Sequence, residues 1–382
     1  MSVEPPGLGT DLAGAGLERR LGPVELTRTL GRLTMSDSSA GGAAATLDGL
    51  SRGGGEAALG RLVDLALTHG LAGLLYERIR EAKAESLQDG SWSALRGAYL
   101  GTAVENAARL ETLREVEHRL ARAGVEHLRL KGVALLDDVY ADPGLRPMSD
   151  IDLLIRQRDV GRAVSELAPL GFTPHQEREL DGAPRPARRT YHAQLLRDAG
   201  GVDDLLELHW DLTQPDGLMR TVHLDIPAIF GSRRGSLPSL EDTLVILAVH
   251  LARHYFRGLI WLADVALFCR VHERAIDWER VVRLARQAGA SCMLHMTLSL
   301  AGFVFGPASR IPDDVVRDTS PGPIRRAILE TLFSGSRLVK TGVGPRVFKI
   351  LLPDRARDCL STASWAMRYS ILYLGGTRRT DA

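Results

Sequence analysis

A chain of 382 residues, 45% hydrophobic and 25% charged, carries enough apolar material for roughly two or three ordinary domains and has the composition of a soluble globular protein. Its formal net charge of +1 gives no reason to expect a polyanion-binding surface or DNA-specific binding, which leaves nucleic acid to a local patch such as Arg178 with Arg185, Arg188 and Arg189. Three widely spaced cysteines, Cys269, Cys292 and Cys359, make neither a disulfide framework nor a zinc site.

Residues 1–55 are rich in Gly, Ala, Ser and Pro, with only a short leucine-bearing stretch around Leu17 to Leu33. Such a composition buries little, so the segment is expected to be largely mobile. No charged start is followed by a continuous apolar run, and a secretory signal is not expected. The most apolar windows, Thr243–Ala252 and Leu259–Cys269, are too short to span a bilayer and are interrupted by His250, His254 and Asp264. The expectation is a cytoplasmic protein with reduced thiols.

Residues 56–124 read as a helical lead-in. Leu59, Leu62, Val63, Leu65 and Ala66, then Leu71, Leu74, Leu75 and Ile79, recur at helical spacing. A longer helix is expected from about Trp92 to Ala123, with Leu100, Val104, Ala107, Leu110, Leu113, Val116 and Leu120 on its packed stripe and Gly124 as its stop. Glu105, Glu111, Arg114, Glu117 and Arg119 would then form a solvated face.

Residues 125–235 alternate strand and helix, which predicts an α+β (α/β) centre. The run Leu128-Arg129-Leu130 is followed by Lys131-Gly132 and a helix from Val133 to Tyr140. Pro143, Gly144 and Pro147 forbid its continuation, and a strand Asp150–Ile155 follows. A helix from the N-cap candidate Asp159 to Leu170 ends at Gly171, and Phe172-Thr173 begins another strand. After an exposed loop from Gln176 to Ala187, Thr190–Arg197 and Val202–Leu212 are two extended runs around the hairpin signal Asp198-Ala199-Gly200-Gly201.

Residues 236–382 are helical again. Ser239 with Asp242 makes a variant capping box for a helix to about Phe256. Further helices are expected at Leu259–Val271, after the cap Asp277, at Ser291–Val304, at Ile324–Phe333 and at Leu360–Leu374. The short connections suggest antiparallel packing.

The chemistry concentrates between Leu128 and Ile155. On a strand, Asp150 and Asp152 share one face while Ile151 points to the other. Two adjacent carboxylates repel, and a divalent cation removes the conflict. Upstream, Gly132 at a strand-to-helix turn lets a phosphate approach the backbone, and Lys131 adds charge. Lys83, Lys131, Lys340 and Lys349 are the only lysines in an arginine-rich chain. In the run Val202–Leu212, Glu207 and His209 lie on one face and Leu206, Leu208 and Trp210 on the other. If that run lies beside Asp150–Ile155, Glu207 completes a carboxylate triad. Taken alone, an Asp-hydrophobe-Asp triplet is equally a strand with two solvated acids.

These residues carry a resemblance. Leu130-Lys131-Gly132, Tyr140, Arg146-Pro147-Met148-Ser149-Asp150-Ile151-Asp152-Leu153-Leu154, Leu170-Gly171-Phe172, Leu206-Glu207-Leu208-His209-Trp210, His250, His254, Trp261-Leu262-Ala263-Asp264 and Ile276-Asp277-Trp278 together resemble uncharacterised bacterial nucleotidyltransferases of the polymerase-beta-like superfamily. The resemblance spans roughly Trp92 to Gly306. It implies a small mixed sheet, antiparallel in part and flanked by helices, with a helical C-terminal domain. It also implies transfer of a nucleoside monophosphate from a nucleoside triphosphate such as ATP to an acceptor, with release of pyrophosphate.

The same resemblance assigns Asp150, Asp152 and Glu207 to catalysis and to magnesium or manganese. From their positions, Lys131 and Gly132 at the turn and Arg146 and Ser149 on the loop before the acids are candidates for the triphosphate. His250 and His254, four apart on one helix face, read as a partly buried hydrogen-bonded pair or as contacts to the base or acceptor in the cleft. His209 is expected to face the site, and Asp264 to orient one of the histidines or cap a buried network. The superfamily usually has Gly-Ser at the phosphate turn, where this chain has Lys131-Gly132, and 17 residues separate Gly132 from Asp150. Lys131 would thus supply charge in place of a hydroxyl, and Arg146 and Ser149 would sit on a loop reaching the phosphates. The acceptor is left open among small molecule, peptide, protein and RNA, with a tailoring role in a biosynthetic cluster as one setting. The alternative is a non-catalytic nucleotide-binding or scaffold module that keeps the fold.

Overall fold

Among the described residues the chain forms five strands: β1 (His127–Arg129), β2 (Asp150–Ile155), β3 (Thr173–Pro174), β4 (His192–Asp198) and β5 (Asp203–His209), of which β1, β2, β4 and β5 each carry a buried leucine beside a polar residue. They pair in the order β1-β2-β5-β4-β3, with β2 and β5 parallel and the other pairs antiparallel. The computed structural model describes residues 23–35, 46–47, 57–82, 89–175, 191–198, 203–213, 221–256, 258–334, 352–354 and 359. The turn residues Ala199 to Gly201, the arginine-bearing loop from Gln176 to Arg189 and the run Leu360–Leu374 lie outside the described residues.

Helices α1 (Pro23–Met35), α2 (57–68), α3 (Ala72–Ala82) and α4 (Asp89–Arg122) precede the sheet. Within it come α5 (Lys131–Asp138) and α6 (Val160–Leu167). After it follow α7 (Ile226–Gly231), α8 (Leu240–Arg253), α9 (Leu259–Val271), α10 (Trp278–Ala288), α11 (Ser291–Phe305), α12 (Asp313–Asp318) and α13 (Pro323–Ser334).

The pleat of β2 explains how one strand serves both a core and a site. Ile151, Leu153 and Ile155 enter the main core, where Leu206 and Leu208 of β5 join them. Asp150, Asp152 and Leu154 share the opposite face. Leu154 is sealed there by Leu128, Leu130, Ile229, Phe230 and Ile246 in a second apolar cluster. The aspartate end of that face is left to a cleft between the sheet and helices α8 and α9.

The capping chemistry follows the expectation at two helices. Ser239 accepts from the Asp242 amide at 3.1 Å and returns its hydroxyl to the Asp242 carboxylate at 2.6 Å. Asp277 accepts from the Arg280 amide at 2.9 Å. Asp159, expected to cap α6, does not: it ends a 3-10 turn in the helical region, and its side chain makes no cap bond.

Two further elements, α1 and α4, depart from the sequence expectation. Leu26, Leu30 and Leu33 of α1 are buried in the core, so this part of the first 55 residues packs, with α1 lying on α11. On α4 the expected stripe holds for Leu113, Val116 and Leu120, but Leu100 and Val104 are 44% and 71% exposed. The N-terminal half of α4 instead turns Asn106 inward, whose side-chain amide donates to the carbonyls of Pro143 and Arg146, both at 2.7 Å. An irregular loop packs there, and its buried carbonyls need donors that leucines lack. Nor is the polar face of α4 wholly solvated: Glu117 is mostly buried against Arg129, and although burial opposes it, the hydrogen bonds from Arg129 and His127 hold its carboxyl at about 2.

Cys269 and Cys292 are buried free thiols, as expected, and burial pushes Cys292 up to about 12. The segment Ser291–Ser309 is the one helical stretch among the described residues long and apolar enough to cross a membrane by length and composition. Over half of its apolar window is buried, with α8, α9 and α1 against it, as in a core helix.

The loop between α5 and β2 is held by close backbone approach. A methyl group on Gly73 of α3 would overlap the Gly144 carbonyl, whereas one on Gly60 of α2 would meet nothing. Gly73→Ala is expected to lower unfolding stability by about 1–3 kcal/mol, as overpacking does. Gly60→Ala is expected to leave it unchanged or raise it by about 0.5–1 kcal/mol. Urea denaturation midpoints of the two variants decide the matter, and equal effects would contradict this packing.

Candidate active site

The parallel register of β2 and β5 makes Asp152 and Glu207 direct partners, with Asp150 beside Leu205 and His209 beside Leu154. Because side chains alternate, Asp150, Asp152, Glu207 and His209 all fall on one face of the sheet. His209 Nε2 donates to Asp152 Oδ1 at 2.7 Å and lies 3.1 Å from Glu207 Oε2. The Lys131 ammonium lies 2.5 Å from Asp152 Oδ1 and 4.0 Å from Glu207 Oε2.

Lys131 reaches this position from a strained backbone. Its φ is 47°, a left-handed value that an L side chain adopts at a penalty of about 1 kcal/mol or more. The turn is tied to the acids by the main chain, since the Leu130 amide donates to the Asp152 carbonyl at 3.0 Å. The helix that follows begins at Lys131, earlier than the Val133 start expected, so Gly132 lies in its first turn. A methyl on Gly132 would sit 2.9 Å from Arg146 Nη1 and from Met148 Sδ, which explains the glycine.

Charge in this cluster is strongly coupled. Burial would raise the Asp152 carboxyl, but Lys131 and His209 more than reverse it and hold it far below the usual carboxylate range. Burial and the charge of Asp152 raise Asp150, which Lys131 only partly offsets. For Glu207 burial is outweighed by hydrogen bonds from His209 and Gln194, and the group stays low. Lys131 itself is raised: burial opposes its charge, and Asp152 overcomes that.

The site contains residues that the sequence reading did not single out. On β4, His192 and Gln194 are the register partners of His209 and Glu207. Gln194 donates to Glu207 Oε1 at 2.7 Å, and the ring of His192 stacks on that of His209 at 5.3 Å. Burial, helped by His209, Arg253 and Lys131, lowers His192 to about 4, so it is neutral at pH 7. The alternation in Tyr191-His192-Ala193-Gln194, laid against Glu207 and His209 across the expected hairpin, was the available signal. Arg253 and Trp261 on the helical wall also line the cleft.

Other expected residues are distributed as follows. Lys131, Gly132, Arg146, Ser149, Asp150, Asp152, Glu207, His250 and His254 line one cleft of about 220 Å³. His250 and His254 pack with Trp261, at ring separations of 5.1 and 4.9 Å. Burial first, then Lys131 and His254, lowers His250 well below its ordinary value and keeps it neutral. His209 lies behind the acids, 1% exposed.

Arg146 lines the same cleft, with its guanidinium held by Asp264. Its Nε and Nη2 donate to the two carboxylate oxygens of Asp264, both at 2.8 Å, and Tyr140 donates to Asp264 at 2.7 Å. A guanidinium this buried needs a carboxylate, and Asp264 of α9 supplies it. Asp264 therefore serves Arg146 and Tyr140 rather than the histidines.

The donor set suits a divalent cation. Ligand atoms of Asp152, Glu207 and His209 lie within 4.8 Å of one another, with Asp150 one strand step away on the same face. Carboxylate oxygens favour magnesium or manganese, and the imidazole also suits manganese or zinc. Residues 56–306 match the family model described as uncharacterised nucleotidyltransferase, well over half of the chain. The chain belongs to this nucleotidyltransferase family. No curated protein matches it.

The family match begins earlier than the resemblance around Trp92 and takes in α2 and α3. Their inclusion fits the structure, since α3 packs on α4 and on the turn at Pro143–Leu145, and so supports the loop leading to Asp150. A nucleotidyltransferase with this arrangement should trade stability for its acids. A carboxylate whose folded pKa is raised stabilises below its unfolded value near 3.8 and loses that contribution as pH rises. In metal-free buffer at pH 7, Asp150→Asn is therefore expected to melt at or above the wild type, with the difference vanishing below about pH 4. Asp264→Asn, which leaves Arg146 buried without its partner, is expected to lose about 3–5 kcal/mol. Calorimetric melting across pH tests both, and a stability loss for Asp150→Asn at pH 7 would contradict the coupling described.

Proposed function

We propose that this chain transfers a nucleoside monophosphate from a nucleoside triphosphate to an acceptor and releases pyrophosphate. The observation that carries the reading is the pairing of Asp152 with Glu207 on adjacent parallel strands, with Asp150 on the same face. Asp150, Asp152 and Glu207, with His209 at hand, would hold magnesium or manganese. Such ions, when bound, neutralise the attacking and leaving oxygens of an in-line displacement.

The protein's own groups have separable tasks. Lys131, once released from Asp152, donates to a phosphate oxygen at the start of α5, where the amides of the first helical turn and the close-packed Gly132 favour an anion. Ser149, whose hydroxyl lies 3.1 Å from Asp150 Oδ1, stands beside the same phosphates. Glu207 stays ionised because His209 and Gln194 donate to it, and it can accept the proton of the attacking acceptor. Arg146, held by Asp264, lines the cleft beneath the same turn and adds positive charge there. Cytoplasmic placement and a tailoring role belong to the same proposal.

Full-length protein incubated with magnesium and triphosphates labelled at the α-phosphorus is expected to release pyrophosphate and move the label to an acceptor from a bacterial small-molecule and macromolecule extract. Asp152→Asn is expected to reduce that release by about a thousandfold or more, because it removes a charge that acts in the transition state. In a parallel incubation with the γ-phosphorus labelled, transfer of that label to the acceptor without release of pyrophosphate would indicate phosphoryl transfer instead. No reaction of either kind, with magnesium nucleotide bound no better by wild type than by Asp152→Asn, would leave the alternative of a non-catalytic module.

A further inference from the structure

The cations around the cleft are not equally engaged. Lys131 is matched by Asp152 and Arg146 by Asp264. Arg253, at the end of α8, lines the same cleft and has no carboxylate within ion-pair distance among the described residues. Its guanidinium rests over the ring of Tyr191, 5.1 Å from the centroid. His250 on the same wall is neutral, and among the described residues Arg253 is the permanently charged cation on the α8 side of the cleft.

Topology fixes which side of the acids Arg253 serves. Tyr191 directly precedes β4, which flanks β5 on the side away from β2. Lys131 directly follows β1 and Leu130, on the far side of β2. Across the sheet the order is thus the Lys131-Gly132 corner, Asp152, Glu207, then His192 and Tyr191 beneath Arg253. In an in-line displacement the attacking group and the leaving group lie on opposite sides of the phosphorus. With the leaving end of the triphosphate in the Lys131-Gly132 corner, the acceptor enters from the β4 side, past Glu207 and under Arg253.

We propose that Arg253 binds the acceptor, and that the acceptor is therefore an anion carrying a carboxylate or phosphate near its attacking group. The assignment rests on the nucleotidyl-transfer reading above. In the step, the acceptor's nucleophilic atom forms a bond to the α-phosphorus while the bond from that phosphorus to the bridging oxygen breaks. Pyrophosphate leaves with the electron pair, and the acceptor's proton passes to Glu207. Arg253 is a binding residue in this scheme and takes no part in the proton transfer.

The test uses the full chain with magnesium and the α,β-methylene analogue of ATP, and follows acetate, methylphosphonate and methanol by saturation-transfer NMR. Acetate, methylphosphonate or both are expected to bind saturably, the two arms separating a carboxylate from a phosphate acceptor, while methanol does not bind. Arg253→Gln is expected to weaken anion binding by about tenfold or more and to leave analogue binding within about twofold, whereas Arg253→Lys retains much of the anion binding. Unchanged analogue binding also certifies that the variant is folded. The proposal is overturned if wild type binds neither anion, if Arg253→Gln binds them as wild type does, or if Arg253→Gln weakens the analogue as much as the anions, which would place Arg253 on the triphosphate. Failure of the transfer reading looks different: wild type would bind no magnesium analogue and release no pyrophosphate, yet keep Arg253-dependent anion binding, and the acceptor role would fall with it.

Discussion

Two ionised carboxylates, Asp152 and Glu207, face each other across adjacent parallel strands, and the surrounding structure is arranged to tolerate them. Lys131 supplies the counter-charge, and His209 bridges both groups from behind. Each support is itself supported: Lys131 by a left-handed turn, Glu207 by Gln194, His209 by stacking on His192. Charges this close, and this far from water, are tolerable only when every partner is in place. The apolar end of the same sheet face, at Leu154, seals the acids from one side and confines solvent to the cleft.

A second, fully buried ionic unit transmits order from the helical part to the reacting end. Asp264 of α9 grips Arg146, whose guanidinium lies directly under Gly132, and Asn106 of α4 holds the same loop by its carbonyls. The Lys131-Gly132 turn is thus backed by elements more than a hundred residues apart in sequence. Its geometry does not depend on the local propensity of the Pro- and Gly-bearing loop.

The strand pair and its acids were legible in the sequence because period-two alternation and Asp-hydrophobe-Asp spacing are local signals. Helices from α8 to α11 were legible for the same reason, with Ser239 and Asp277 announcing two of them. The partner of Arg146 was not legible, because nothing local marks an arginine whose guanidinium meets Asp264 over a hundred residues away. The stripe on α4 failed for a related cause: a loop with bare carbonyls packs there, so Asn106 displaces the apolar pattern. His192 and Gln194 acquire meaning only through cross-strand register, which the sequence implies but does not display.

The packing of α1 bears on how this chain tolerates being shortened. The α1 helix lies on α11, and Gly31 approaches so closely that a methyl group there would be 2.5 Å from the Val304 carbonyl. Yet α1 lies before residue 56, where the family match begins. A version trimmed to the matched region would lay open the flank of the one described helix apolar enough to resemble a membrane span. Such a fragment would keep every acid and every cleft residue, and would be prone to self-association through that uncovered flank.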